Sequence, residues 1–187
     1  DTIKVDGKMD EWPYIQAAFA DDQGDIAPRS HYGYGRVGTL TNTTGRNDIL
    51  ETRVTNDGTN VYFYVKTATD ISSYKSSKWM RLFITVKGNE SAKQWEGFHF
   101  VVNNTVNDEK TTQLESCTGD WSWSKKADIQ YAVKGKEMEL AIPMSDLGIT
   151  NPNEFPLDFK WIDNAVGAGD IQECLSDGDS APNGRFR

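Results

Sequence analysis

Few side chains in this 187-residue sequence could do covalent chemistry. There are two histidines, His31 and His99, and two cysteines, Cys117 and Cys174. A Ser-His-Asp or Cys-His arrangement would need one of those histidines beside a nucleophile. His99 falls mid-strand between Phe98 and Phe100, where a packed or surface imidazole is expected. No nucleophile elbow, glycine-rich phosphate loop or HExxH motif occurs. Glu137 and Glu139 share a strand face and have the residue types of a glycosidase pair. The sequence offers them no apolar pocket to raise a pKa, so as hairpin-edge glutamates they are expected to be solvated. The chain therefore reads as a non-enzyme. The cysteines are too few and too far apart for a zinc site. They form either one disulfide in an exported protein or two separate buried thiols.

Two other sets of residues point to binding. The first is six tryptophans, a high number for this length. Sugar faces stack on aromatic rings, and their hydroxyls need polar partners around the ring edge. Trp79 follows Lys75-Ser76-Ser77-Lys78, and Trp95 sits within Lys93-Gln94-Trp95-Glu96-Gly97. Trp121 and Trp123 lie in Asp120-Trp121-Ser122-Trp123-Ser124-Lys125. These four, at strand ends or in polar loops, are the candidate carbohydrate-binding residues; the alternative is that each lids the core. Trp12 and Trp161 have apolar or strand-interior surroundings and are assigned to the core. The second set is acidic. A strand over Leu157–Ile162 ends in Asp163-Asn164 and runs into a loop with glycines at 167, 169, 178 and 184. That loop carries Asp170, Asp177 and Asp179. Carboxylate and carbonyl oxygens on a glycine-flexed loop are the material of a calcium site, with Asp163, Asp170 and Asp179 as candidate ligands. A solvated acidic tail is the other reading, since no EF-hand spacing is present.

The elements that must position these residues are strands. Leu50, Thr52 and Val54 alternate with charged and polar neighbours, Asn56-Asp57-Gly58 is a hairpin turn, and Val61–Val65 returns as an all-apolar central strand. Further strands are expected at Met80–Val86, Gly97–Val102, Thr111–Cys117, Ile129–Val133 and Met138–Ile142. Short strands are expected at Thr2–Val5 and Val37–Leu40, with one helical turn over Pro143–Gly148. No amphipathic helix of ordinary length appears. Hairpin-linked strands with half-buried alternation imply an all-β antiparallel β-sandwich of jelly-roll type. The length fits one domain over 1–187. Asp1 is not a natural start, so the chain is read as excised from a longer one. Lys plus Arg is 20 against 28 Asp plus Glu, a net charge of −8, which argues against nucleic acid and anionic membranes. No apolar run is long enough for membrane insertion.

Several stretches together resemble one family. Ile3-Lys4-Val5-Asp6-Gly7-Lys8-Met9-Asp10-Glu11-Trp12 resembles the opening of family 9 carbohydrate-binding modules. The hairpin Asn47–Val65, the hairpin Val133–Pro143 with Leu147-Gly148 after it, and the close at Phe159–Asn164 and Gly178–Phe186 are similar to later parts of the same family. The resemblance implies a β-sandwich, bound calcium, and an oligosaccharide or polysaccharide held between two tryptophans. Trp79 and Trp95 are the first choices for that pair, with Trp121 and Trp123 next. It also implies a secreted, periplasmic or cell-surface bacterial protein involved in polysaccharide degradation, with other domains of the same chain as partners. The alternative is a structural accessory domain that packs on a glycoside hydrolase and binds nothing. A third reading is a haem-binding relative, for which His99, Met80 and Met138 are the available axial residues.

Overall fold

The computed structural model describes residues 3–15, 18–20, 29–32, 39–42, 46–151, 153, 156–164 and 179–181. Its strands are β1 (Ala18–Ala20), β2 (Arg29–Tyr32), β3 (Thr39–Asn42), β4 (Ile49–Asn56), β5 (Asn60–Thr67) and β6 (Arg81–Val86). They continue with β7 (Phe100–Val106), β8 (Thr111–Cys117), β9 (Trp123–Lys134), β10 (Glu137–Pro143), β11 (Leu157–Asp163) and β12 (Asp179–Ala181). Two 3₁₀ turns, Trp12–Tyr14 and Met144–Leu147, are the helical elements among the described residues. The second ends on Gly148 at φ +74°, the left-handed stop that glycine adopts without a Cβ penalty.

The protein is all-β and antiparallel. One sheet runs β1-β4-β5-β10-β9-β8-β7-β6-β11-β12, and β2-β3 form a separate hairpin. β5 is interior, as its unbroken apolar run requires: Val61, Phe63 and Val65 enter the main core, while Tyr62 and Tyr64 lie under the N-terminal segment. The sheet curls. Phe63 on β5 meets Phe159 on β11 edge to face at 5.3 Å between ring centroids, although five strands separate β5 from β11 in the sheet order. β12 lies beside β4 across the same closure.

Several local expectations change. β4 carries a bulge between Ile49 and Glu51, which turns Ile49 into the core and leaves Leu50 only half-buried. Ile3 to Val5 forms no strand; Ile3, Met9 and Trp12 are buried against Tyr62 and Tyr64 instead. β9 begins at Trp123 itself, six residues before its expected start. β7 breaks register after Val102, where Asn103 takes φ +67° and turns inward. Its amide donates to Met80 O at 2.9 Å and its carbonyl accepts the Thr112 hydroxyl at 2.8 Å.

Candidate functional site

The four candidate tryptophans separate into two kinds. Trp79 and Trp95 are 3% and 4% exposed, so neither presents a ring face to solvent. Trp79 packs edge to face on Tyr131 and donates its indole N–H to Ser72 O at 2.9 Å. Trp95 belongs to a second apolar cluster with Phe83, Phe98, Val101, Cys117 and Ile162, on the sheet face opposite the main core. Trp121 and Trp123 are half-buried at the rim of that cluster. Their rings are perpendicular at 5.6 Å, Trp121 also meets Trp95 at 4.7 Å, and the Arg81 guanidinium lies over Trp121 at 5.5 Å. The strands explain the grouping. Phe83 pairs with Val101, Val101 with Glu115, and Cys117 with Trp123, so one face of β6, β7, β8 and β9 collects them. Two polar atoms on this face, Glu115 Oε1 and Trp123 Nε1, are buried without a hydrogen-bond partner among the described residues, an uncommon state for buried polar groups.

A groove of roughly 390 Å³ adjoins this patch. The segment Tyr74–Trp79 forms one wall and the Asn103-Asn104 end of β7 the other, with Arg81 common to groove and patch. The segment is held from beneath. Arg46 gives Nε to Asp163 Oδ2 at 2.9 Å and Nη2 to Asp163 Oδ1 at 3.2 Å, and the same Nη2 reaches Lys78 O at 3.1 Å. Asn164 N–H also donates to Lys78 O, at 3.0 Å. Asn47 exchanges two hydrogen bonds with Ser72, at 2.8 and 2.9 Å. Asn47, Lys78 and Asn164 all take positive φ, which is costly for residues with a Cβ and persists here because these bonds fix it.

The candidate calcium ligands are placed unequally. Asp163 is fully buried. Burial pushes its carboxyl above the usual range and the Arg46 guanidinium pulls the other way. With both oxygens bonded to that guanidinium, at 2.9 and 3.2 Å, Asp163 as it stands does not fit a calcium ligand: an incoming cation would have to displace Arg46. Asp179 is the register partner of Asp163 on β12, and Asp170 lies outside the described residues. Among the described residues no cluster of three or more His, Cys, Asp or Glu could hold a metal. Cys117 is a buried free thiol, and Cys174 lies outside the described residues.

The remaining titratable candidates are structural. Glu139 corrects the expectation of a solvated hairpin-edge glutamate: it is fully buried. Its Oε1 accepts the N–H of Asp6 at 2.9 Å and of Gly7 at 2.8 Å, and its Oε2 accepts the Trp12 indole N–H at 2.8 Å. Burial raises its pKa and these donors oppose the rise. Glu137 accepts the Tyr64 hydroxyl at 2.5 Å. His99 is buried with Nδ1 accepting Val86 N–H at 3.0 Å, and burial lowers its pKa against the opposing Asn89 backbone and Glu90 charge. Met80 and Met138 sit in the main core, and His99 already uses its Nδ1 to accept Val86 N–H. Arg46, Tyr74, Lys78 and Arg81 escaped sequence reasoning because each draws its role from residues distant in the chain. The charged neighbours flagged around Trp79 were the one signal available.

No protein-family model, curated protein or solved structure matches the chain.

Proposed function

We propose that this chain is a non-catalytic carbohydrate-binding module of a longer exported protein. The observation that carries the reading is the rim of half-buried Trp121 and Trp123, with the Arg81 guanidinium over the Trp121 ring. A sugar ring stacks on an indole through its C–H face, and its hydroxyls bond to polar side chains around the ring edge. The proposal takes the curled sheet as the facing layers of a jelly-roll sandwich, because inward residues of β4, β5 and β10 share one core with those of β6, β7 and β11. Calcium stays in the reading as a loop-stabilising ion resting on Asp170 and Asp179, since Asp163 is committed to Arg46.

Burial of Trp79 and Trp95 favours a second reading, an accessory domain that packs on a neighbouring catalytic domain without ligand. A glycan-panel screen of the protein, with calcium and with chelator, separates the two. Binding lost in Trp121→Ala, in a variant that melts somewhat lower but still folds cooperatively, is the expected result. A blank panel with folded protein would replace the module by the accessory domain. A melting temperature that does not fall in chelator would remove calcium, because an ion selective for the native state stabilises it by mass action.

A further inference from the structure

The groove beside the aromatic patch has a charge opposite to that of the molecule. The chain carries a net −8, yet Lys75, Lys78 and Arg81 line this groove and, among the described residues, no carboxylate does. Among the described residues the carboxylate nearest in the bonding network is Asp163, and it is neutralised by Arg46 beneath the Lys78 carbonyl. Neither Lys75 nor Lys78 has a carboxylate partner within ion-pair distance in the described residues. The volume is within the range of small-molecule sites. Its walls combine cations with uncharged donors and acceptors, Ser76 and Asn104, and with the Tyr74 ring. A neutral sugar can take hydrogen bonds from Lys75 and Lys78 through its hydroxyls. A carboxylate or sulfate on the ring gains more from the same ammonium groups, since hydrogen bonds to an ionised acceptor are the strong ones.

The groove is also preorganised at some cost. Lys78 holds φ +57°, a conformation glycine would adopt more cheaply, and two donors lock its carbonyl there. Arg81 lines the groove and lies over the Trp121 ring at 5.5 Å, so the groove and the indole adjoin.

We infer that the groove binds the anionic group of an acidic sugar, a uronate or sulfated unit, so that the module selects acidic over neutral glycans; this rests on the carbohydrate-binding reading above. The variant that tests it is Lys78→Gly, which removes the ammonium and keeps a residue suited to positive φ. Lys75→Ala is an independent second. The protein is titrated calorimetrically with a uronate oligomer, a sulfated oligosaccharide and a neutral oligosaccharide, at low and high salt. At least one acidic ligand should bind more tightly than the neutral one, with affinity falling as salt rises. Each variant should weaken that ligand roughly tenfold or more, the loss of about one charge-assisted bond, with melting temperature kept and neutral-sugar affinity reduced less. The acidic arm that responds identifies the anion. Equal acidic-sugar binding by wild type, Lys78→Gly and Lys75→Ala would overturn the inference. Neutral-sugar binding with no acidic preference would overturn it and leave the module reading standing. No binding in any arm would remove both.

Discussion

Glu139 holds the N-terminal segment onto the sheet with both of its oxygens. The stretch Asp6-Gly7-Lys8-Met9-Asp10-Glu11-Trp12 looks, as sequence, like a set of surface acids around a tryptophan. In the folded protein its amides at 6 and 7 and its indole converge on one buried carboxylate, and Trp12 stacks on Tyr64 at 5.1 Å. Gly7 at φ +80° aims its N–H at Glu139. Glu139→Gln keeps one acceptor for the two amides but turns an NH₂ toward the Trp12 N–H, donor against donor. The expected cost is about 1–3 kcal/mol in urea unfolding, because a buried donor is left unsatisfied. A variant as stable as wild type would show that this carboxylate does not hold the segment.

At the scale of elements, the Arg46–Asp163 pair ties the start of β4 to the end of β11. These strands lie near opposite ends of the sheet order, so the pair fastens the curl. It also carries the Lys78 carbonyl and thereby the wall of the groove. Removing the cation strands a fully buried carboxylate. Arg46→Ala should therefore lower stability by about 3–5 kcal/mol, and Arg46→Met with Asp163→Leu should cost much less, since breaking a buried pair is worse than replacing it. If the single variant were no less stable than the double, the closure would not depend on the ion pair. The hairpins are simpler. The Asn56-Asp57-Gly58 turn was legible because its chemistry is local: Asp57 Oδ1 accepts the N–H of Thr59 and Asn60 at 2.9 and 2.8 Å. The bulge at Leu50 was not, because alternation alone cannot show where a ladder slips.

Across the whole molecule, stability follows pH through groups displaced in opposite directions. His99 is pushed below its ordinary value of 6.5, so the unfolded chain takes up its proton first as the pH falls. Its contribution is complete above about 6.5 and is lost as the pH drops toward the depressed folded value. Glu139 and Asp163 are pushed above 4.5 and 3.8, and the native state keeps their protons longer. Their contribution is present at the acid end and lost as the pH rises through the folded values. His99→Asn, which retains an acceptor for Val86 N–H, should flatten the fall in melting temperature just below pH 6.5. An identical profile in the variant would take His99 out of the account.

What the sequence determined by itself was the class of fold and most of its strands. Alternation, β-branched runs and turn residues act over a few neighbours, so β5, β6, β8, β10 and β11 could be read from the chain. Trp12 and Trp161 could be assigned to the core for the same reason, and both are buried. The tertiary structure decided which polar and aromatic residues meet. Trp79 and Trp95 sit in polar stretches yet are buried, because Tyr131 and Phe83 arrive from other strands to cover them. Glu139 lost its solvent to a segment more than 120 residues away, and Asp163 met Arg46 across a similar separation. Burial and charge pairing depend on those long-range encounters, and no local pattern encodes them.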